Sequence, residues 1–114
     1  MNKIYIIIIL SVVLIAYSCR KSCTHHNVPD CIKATINANQ NNPNGELQSI
    51  DEYQYHGQTV YALNPLAMSS DMQTAIVSSD CTTLCYLGGI AGKTDCNGDH
   101  FYNTAQLVRR AWEK

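Results

Sequence analysis

The chain has little excess charge of either sign. Its 114 residues include 8 lysines and arginines against 9 aspartates and glutamates, which gives a formal net charge of −1 at pH 7. Without a basic surplus the sequence lacks the electrostatic footprint of a nucleic-acid-binding protein. It also has no acidic tail and no internal repeat. Nucleic acid is therefore excluded as an expected partner.

The chain also lacks a hydrophobic run of the roughly 20 residues that a comfortable transmembrane helix needs. Its longest run, Ile4 to Ala16, has 13 mostly apolar residues and follows the positive charge of Lys3. Ser18, a small residue, then directly precedes Cys19. This order is typical of an export signal. It resembles a bacterial lipoprotein signal, in which the cysteine after the cut is lipidated and becomes the new N-terminus.

Two other interpretations of this segment stay open. An ordinary secretory signal would be cut and would release the protein, and a short uncleaved segment would remain as a membrane anchor. Ala16 stands where leucine is usual and Tyr17 is bulky for its position, whereas Ser18 and Cys19 fit the lipoprotein pattern. We expect a signal peptide over residues 1–18, lipidation of Cys19, and attachment to a bacterial membrane in the cell envelope, on its periplasmic side or at the cell surface.

Removing 18 of the 114 residues leaves 96, which is enough for one small domain with a modest core. We predict a tether over residues 19–28 and a single domain over residues 29–114. The five cysteines that follow Cys19 suit an exported domain stabilised by disulfides better than a metal cage. Cys23 lies in the predicted tether and is the candidate for the unpaired thiol.

The other four cysteines are the disulfide candidates: Cys31, Cys81, Cys85 and Cys96. Four cysteines allow three connectivities, and the sequence alone does not select one. We favour Cys85 with Cys96, which would close the glycine-rich segment between them, together with Cys31 and Cys81.

Hydrophobic periodicity predicts a helix near the start of the domain. Pro29-Asp30 opens it, with Asp30 as the capping residue, and an apolar stripe follows at intervals of four: Val28, Ile32 and Ile36. The segment Asn37 to Gly45 is rich in asparagine and contains Pro43. We expect it to end the helix and form a connector.

The clearest strand signal is a hairpin. Asp51 to Tyr55 and Gln58 to Leu63 alternate in character and are separated by His56-Gly57, a pair that favours a tight turn. Thr82 to Leu87 is rich in apolar and β-branched residues and predicts a third strand. Leu66 to Ser79 fits either a short helix capped by Asp71 or a long loop.

The end of the chain predicts a helix, with a short strand as the alternative. From Phe101 onwards the apolar residues share one helical face: Phe101, Ala105, Val108 and Trp112. We therefore predict an α+β domain stabilised by disulfides. It has a small antiparallel sheet of three or four strands, an N-terminal helix, and a C-terminal helix or strand.

The order of several short motifs is familiar. They are VPDCI at 28–32, EYQYHGQTVY at 52–61, Cys85 with Gly88-Gly89, Gly92 and Cys96, then Gly98-Asp99 with Phe101, and Trp112. Over about residues 28–112 the chain resembles a family of small uncharacterised lipoprotein domains common in Bacteroidetes-type bacteria. The resemblance implies a location in the cell envelope and a fold, and it implies no activity. Ser69-Ser70-Asp71 stands where many relatives carry Cys-Cys-Asp, so the family's disulfide pattern is not transferred.

Most chemical motifs in the chain have simpler explanations. His25-His26 near Cys23 has no second cluster at metal-finger spacing. Asp95, Asn97 and Asp99 alternate like calcium ligands, but the expected glycine and the bidentate glutamate are absent. The run GGIAGK at 88–93 lacks the four-residue gap of a phosphate loop. No cysteine and histidine are placed as a catalytic pair. We predict no catalytic residue, no metal site and no cofactor.

Two segments are candidates for binding. Tyr53, Tyr55 and Tyr61 in the hairpin would suit an exposed binding face, although they equally suit one side of a small core. The function we expect is a non-catalytic binding or structural module, held at the membrane by its lipid and contacting an envelope protein or glycan. The alternative is an inhibitor of an envelope-targeting hydrolase, a lysozyme or protease, acting through the Gly88–Asp99 loop.

Overall fold

An antiparallel sheet forms the middle layer of the computed structural model, which describes residues 27–66 and 71–114. Within these residues the sheet has five strands in the order β4-β3-β2-β1-β7. The elements in chain order are α1 (Asp30–Gln40), β1 (Leu47–Tyr55), β2 (Gln58–Pro65), β3 (Gln73–Ser78), β4 (Thr83–Gly88), β5 (Asp95–Cys96), β6 (Asp99–His100), α2 (Phe101–Thr104) and β7 (Gln106–Glu113). The α+β class is therefore confirmed, whereas the prediction of three or four strands was too low.

The hairpin at the centre of the sheet confirms the strand pattern. Tyr55 pairs with Gln58 across a two-residue turn. His56 and Gly57 both have positive φ, 49° and 74°, which is the turn geometry that matches the twist of paired strands. Both strands are longer than predicted, since β1 begins at Leu47 and β2 continues to Pro65.

The N-terminal helix starts as expected but is held differently at both ends. Pro29 occupies the N-cap position and no side chain caps the helix. Asp30 is the first helical residue, and its carboxylate lies 3.6 Å from the Lys33 ammonium. The helix continues beyond Asn37 to Gln40, and the Asn39 side-chain oxygen accepts a hydrogen bond from the Leu47 amide at 3.3 Å. The asparagine-rich segment thus belongs partly to the helix and joins it to β1.

One region was assigned wrongly from the sequence, and in another the alternative prediction is the one that holds. Gln73–Ser78, expected as a helix or loop, is strand β3, and it lies between β2 and β4. The predicted C-terminal helix is limited to one turn, Phe101–Thr104, and the strand alternative holds over Gln106–Glu113. Strand β7 carries two irregularities in its pairing with β1, and these disturb the alternation that would identify a strand.

Each face of the sheet buries its own core. On the helix face, Ile32 and Ile36 of α1 pack with residues of the sheet: Ile50, Tyr61, Val77, Ala111 and Trp112. Ile32 and Ile36 are at most 1% exposed, so each contributes about 1.5–3 kcal/mol of burial. On the opposite face the core contains Tyr55, Val60, Ala62, Ile76, Leu87, Cys96 and Phe101. Residues 89–105 contribute Cys96 and Phe101 to it, and we call them the cover segment.

Two disulfides within the described residues fasten these layers. Cys31–Cys81 joins the start of α1 to the turn between β3 and β4, with Cα atoms 6.1 Å apart. Cys85–Cys96 joins β4 to the cover segment, with Cα atoms 5.4 Å apart. This is the connectivity that the sequence favoured. Each bridge therefore attaches one covering layer to the sheet.

The connections fix where the chain enters the domain. Cys31 is tied to the β3–β4 turn, which lies at the same end of the sheet as the β1–β2 turn. The Gly88–Lys93 segment follows β4 at the other end. Nine-residue β1 spans about 25–30 Å at the usual rise per residue. The start of α1 and the glycine-rich loop are thus at opposite ends of the sheet. Among the described residues, no helix has the length and apolar character needed to cross a bilayer.

Removing the Cys31–Cys81 disulfide should destabilise the mature protein more than removing the Cys85–Cys96 disulfide. The bridges have sequence separations of 50 and 11 residues, and loop-closure entropy then gives about 4 kcal/mol for Cys31–Cys81 and about 3 kcal/mol for Cys85–Cys96. The double variant C31A/C81A should therefore unfold at lower urea concentration than C85A/C96A. Fluorescence of Trp112, the single tryptophan, reports the transition. The reverse order would show that strain or residual structure outweighs loop size.

Candidate functional site

The predicted lipidation site cannot be placed in this geometry. Cys19, Cys23 and His25-His26 lie outside the described residues, as does the Ser69-Ser70 pair. The four cysteines within the described residues are all disulfide-bonded. Their thiols are therefore committed to structure.

The three hairpin tyrosines do not form one surface. In the hairpin register Tyr53 pairs with Val60, whereas Tyr61 pairs with Glu52, so Tyr61 faces the helix and Tyr53 and Tyr55 face the cover segment. Tyr55 is 5% exposed and Tyr61 is 2% exposed. The Tyr55 hydroxyl donates a hydrogen bond to the Cys96 carbonyl at 2.9 Å. The three tyrosines therefore do not form the predicted binding face. Tyr55 and Tyr61 are core residues, and only Tyr53 of the three is partly accessible.

An accessible surface nevertheless exists beside Tyr53, at the border of the cover segment. Tyr102 of α2 is 50% exposed and its ring meets Tyr53 edge-on, with ring centres 6.4 Å apart. Leu107, which pairs with Tyr53 across β1 and β7, is 62% exposed. Asp51 and Arg110 pair with each other next along the same two strands. We call these five residues the aromatic strip.

A hydrogen-bond network forms the polar end of the aromatic strip. The Asp51 carboxylate accepts a bond from Arg110 Nε at 2.9 Å and another from the Asn64 amide at 2.9 Å. The same amide bonds the Ser49 hydroxyl at 3.1 Å, and the Asn64 oxygen accepts from Thr74 at 3.3 Å. Arg110 also bonds Glu113 at 3.2 Å. The network therefore fixes side chains from four adjacent strands.

Burial and the Asp51 charge both raise the pKa of the two phenols in the aromatic strip. Desolvation raises the pKa of Tyr102, and the Asp51 carboxylate adds to the rise. Desolvation and then Asp51 likewise raise the pKa of Tyr53, with a smaller contribution from Tyr102 and an opposing one from Arg110. Neither hydroxyl has a hydrogen-bond partner within the described part of the chain. Both are therefore free to bond a ligand.

The glycine-rich segment forms a pinned, exposed loop. Gly88 and Lys93 exchange backbone hydrogen bonds of 2.7 and 3.1 Å, and the Gly92 amide bonds the Gly89 carbonyl at 3.0 Å. Ile90, at the tip, is 82% exposed. The Cys85–Cys96 disulfide brackets the loop. A bulky apolar side chain is thus presented on a backbone with little freedom.

His56 of the hairpin turn and Asp99 of β6 form an exposed pair. His56 Nε2 lies 2.6 Å from Asp99 Oδ2, and the side chains are 57% and 45% exposed. The ring of His56 also packs on Tyr55, with centres 4.3 Å apart. Asn97 and Gly98 form the turn between β5 and β6 with φ of 51° and 93°, so the Asx-rich run is a tight turn. Across residues 27–66 and 71–114, no three acidic, cysteine or histidine side chains are grouped to hold a metal.

A surface groove between β2 and the β3–β4 turn adds no further reactive group. Its volume is about 460 Å³, and Gln58, Thr59, Ser78, Ser79 and Asp80 line it. Asp80 accepts hydrogen bonds from the Ser78 hydroxyl and the Thr82 amide. Those bonds, that of Ser78 foremost, lower the pKa of its carboxyl. The carboxylate therefore serves to hold the turn.

Sequence reasoning missed Tyr102, Leu107, Asp51 and Arg110 as surface residues that act together. The Leu107–Tyr53 and Arg110–Asp51 pairs arise from strand β7, which the sequence assigned mainly as a helix. The one available signal was the spacing of Asp51, Tyr53 and Tyr55, which recur at every second position of β1. It placed these three side chains on one face, but the partner strand was needed to complete the surface.

The buried tyrosines should make the folded state sensitive to alkaline pH. Desolvation, with Asp99 next, raises the pKa of Tyr55; desolvation, with Glu52 next, raises that of Tyr61. The unfolded chain therefore loses these protons first, so their stabilising effect is complete below about pH 10 and declines as pH rises through the folded pKa values. Tyr55→Phe should reduce the decline while costing about 1 kcal/mol at pH 7, because the Cys96 carbonyl loses its donor. Urea midpoints at pH 7, 9 and 10.5 test this, and an equal alkaline decline in the variant would count against it.

Comparison with known proteins identifies the family of the domain but gives no function for it. A family model described as a domain of unknown function, DUF6970, matches residues 34–114. No curated protein and no solved structure matches the chain.

Proposed function

We propose, on the premise that the chain belongs to the DUF6970 family of unknown function, that it is a lipid-anchored cell-envelope protein whose domain binds another envelope macromolecule without catalysis. Cys19 carries the lipid and residues 19–28 are the tether. The observation that carries the binding role is the aromatic strip, where accessible rings adjoin a fixed polar network. Partly exposed tyrosines beside an arginine are favoured in binding surfaces.

The end of the sheet at which α1 starts supports this role. The chain enters the domain at the end of the sheet that carries the β1–β2 and β3–β4 turns. The aromatic strip lies along the side of the sheet, and the Gly88–Lys93 loop lies at the far end. A domain held at a membrane by the tether can therefore offer both surfaces to a partner in the envelope.

The described reactive groups favour binding over catalysis. Cysteine nucleophiles are absent from the described residues because all four cysteines there are bridged. The His56–Asp99 pair lies on exposed turns and not in a water-excluding cavity of the kind that favours general acid–base catalysis.

Replacing the lipidation site tests the anchor. Cys19→Ala should move the protein from the membrane fraction to the soluble fraction, or stop its processing, because the acyl chains are lost. Membrane fractionation with radiolabelled palmitate measures both effects. Cys23→Ala, four residues further on, is the matched control and should leave labelling and fractionation unchanged. Undiminished labelling of the Cys19 variant would contradict the assignment.

The second candidate function is inhibition of an envelope-targeting hydrolase, such as a lysozyme or protease. One observation favours it: Ile90 is 82% exposed on a loop closed by two backbone hydrogen bonds. A pre-organised loop enters a substrate cleft at little cost in conformational entropy. The loop also lies at the end of the sheet opposite to the start of α1.

The inhibitor hypothesis predicts that Ile90 is the anchoring residue. Ile90→Asp should weaken inhibition by about 30-fold or more, since a charge would enter an apolar pocket. Val108→Asp is the control, because Val108 is also apolar and exposed but lies on β7. Inhibition constants against lysozymes and serine proteases measure the effect. Equal loss in both variants, or no inhibition by the parent protein, would reject the hypothesis.

A further inference from the structure

We propose that the aromatic strip binds a neutral saccharide chain. This inference rests on the proposed binding function and specifies its ligand. It concerns Tyr53, Tyr102 and Leu107 as the apolar side of the surface, and Asp51 and Arg110 as the polar side. Of the hairpin tyrosines it retains Tyr53 alone and adds a ring from outside the hairpin.

The apolar side suits the C–H face of a sugar ring. Tyr102 is 50% exposed and is held by edge-on contacts with Phe101 at 5.3 Å and Tyr53 at 6.4 Å. Phe101 is fully buried, so the short helix that carries Tyr102 has a fixed position. An aromatic ring with a polar tip offers a large contact area at low conformational-entropy cost. The adjoining Leu107 extends this area along β7.

The polar side suits hydroxyl groups. Asp51 is fixed by bonds to Arg110 and Asn64, and its carboxylate oxygens retain further acceptor capacity. Tyr53 lies two residues from Asp51 on β1, and its ring centre is 6.4 Å from that of Tyr102. The hydroxyls of both tyrosines lack partners within the described part of the chain. Donors and acceptors thus alternate within a small area, as a polyhydroxyl ligand requires.

The charges of this surface argue against an ionic ligand. Arg110 is neutralised by Asp51 at 2.9 Å and by Glu113 at 3.2 Å. An anion would therefore meet two carboxylates beside one guanidinium, and a cation would meet the guanidinium itself. A neutral ligand avoids both conflicts, because it exchanges hydrogen bonds without adding charge.

The features of edge strand β7 disfavour pairing with a strand from another protein. They leave the face of the sheet as the surface for a ligand. Strand β7 has two pairing irregularities against β1 and carries Arg109 and Arg110 in its centre. Bulges and central charges are features by which edge strands resist pairing with another chain. The exposed Leu107 is therefore better explained by the face that it shares with Tyr53.

The test uses the full chain, purified as the lipoprotein in a non-glycosidic detergent. Titration calorimetry measures binding to four neutral oligosaccharides (maltohexaose, cellohexaose, mannohexaose and chitohexaose) and to heparin as an anionic comparison. We expect binding to at least one neutral chain and none to heparin. Tyr102→Ala should lower that affinity by about tenfold or more, and Tyr102→Phe should retain most of it because the ring remains.

Tyr86→Ala is the matched control for Tyr102→Ala. Tyr86 is 52% exposed, nearly the same as Tyr102, but it pairs with Ala75 on the helix face of the sheet. Its loss should leave saccharide affinity unchanged. Binding to none of the four neutral chains, binding to heparin instead, or equal losses in the two alanine variants would overturn the proposal.

A second measurement separates this inference from the proposed function. Crosslinking of the intact lipoprotein in its own membrane identifies the macromolecules that lie against it. If a crosslink to another protein disappears in Tyr102→Ala and no saccharide binds, the saccharide is overturned and the binding function stands. If the parent protein forms no crosslink and binds no saccharide, both are overturned.

Discussion

The need to cover two apolar faces of one sheet governs this domain. Val60, Tyr61 and Ala62 are consecutive residues of β2 and all are buried, so neither face of the central strand is exposed to solvent. The helix α1 covers one face with Ile32 and Ile36. The other face is covered by the cover segment, which has little regular structure of its own: two strands of two residues each and one helical turn. The Cys85–Cys96 bridge and the ring contacts of Phe101 supply the order that hydrogen-bonded elements would otherwise provide.

The limited size of the cover segment also determines where the molecule is open. The segment covers Val60, Ala62 and Leu87 but ends at α2, so the β1–β7 side of that face keeps partly exposed side chains. Tyr102 stands at this border because Phe101 beside it is required for the core. The aromatic strip is thus a direct consequence of incomplete coverage. The hydrogen bonds of Asp51 with Asn64 and Arg110 fix the polar side of this border.

The sequence predicted those elements whose pattern is local. The hairpin could be found because its turn, His56-Gly57, and its alternating strands are adjacent in the chain. Strand β3 could not, since it lies between two other strands and buries both Ile76 and Val77, so it shows no alternation. Strand β7 was hidden by its bulges. They place the adjacent residues Ala111 and Trp112 together in the helix-face core, which interrupts the alternation typical of a strand.

The tyrosine surface shows the same division between local and non-local information. A two-residue turn pairs Tyr55 with Gln58 and Tyr53 with Val60. Since paired residues share a face, the hairpin alone already places Tyr61 opposite to Tyr53, and the register could have been worked out from the sequence. The proximity of Tyr102 and Arg110 could not, because it depends on β7 returning beside β1 after the cover segment. The Cys85–Cys96 bridge therefore fixes the Gly88–Lys93 loop, whereas strand pairing and the bonds of Asp51 fix the aromatic strip. Surfaces that are ordered in advance lose less conformational entropy on binding.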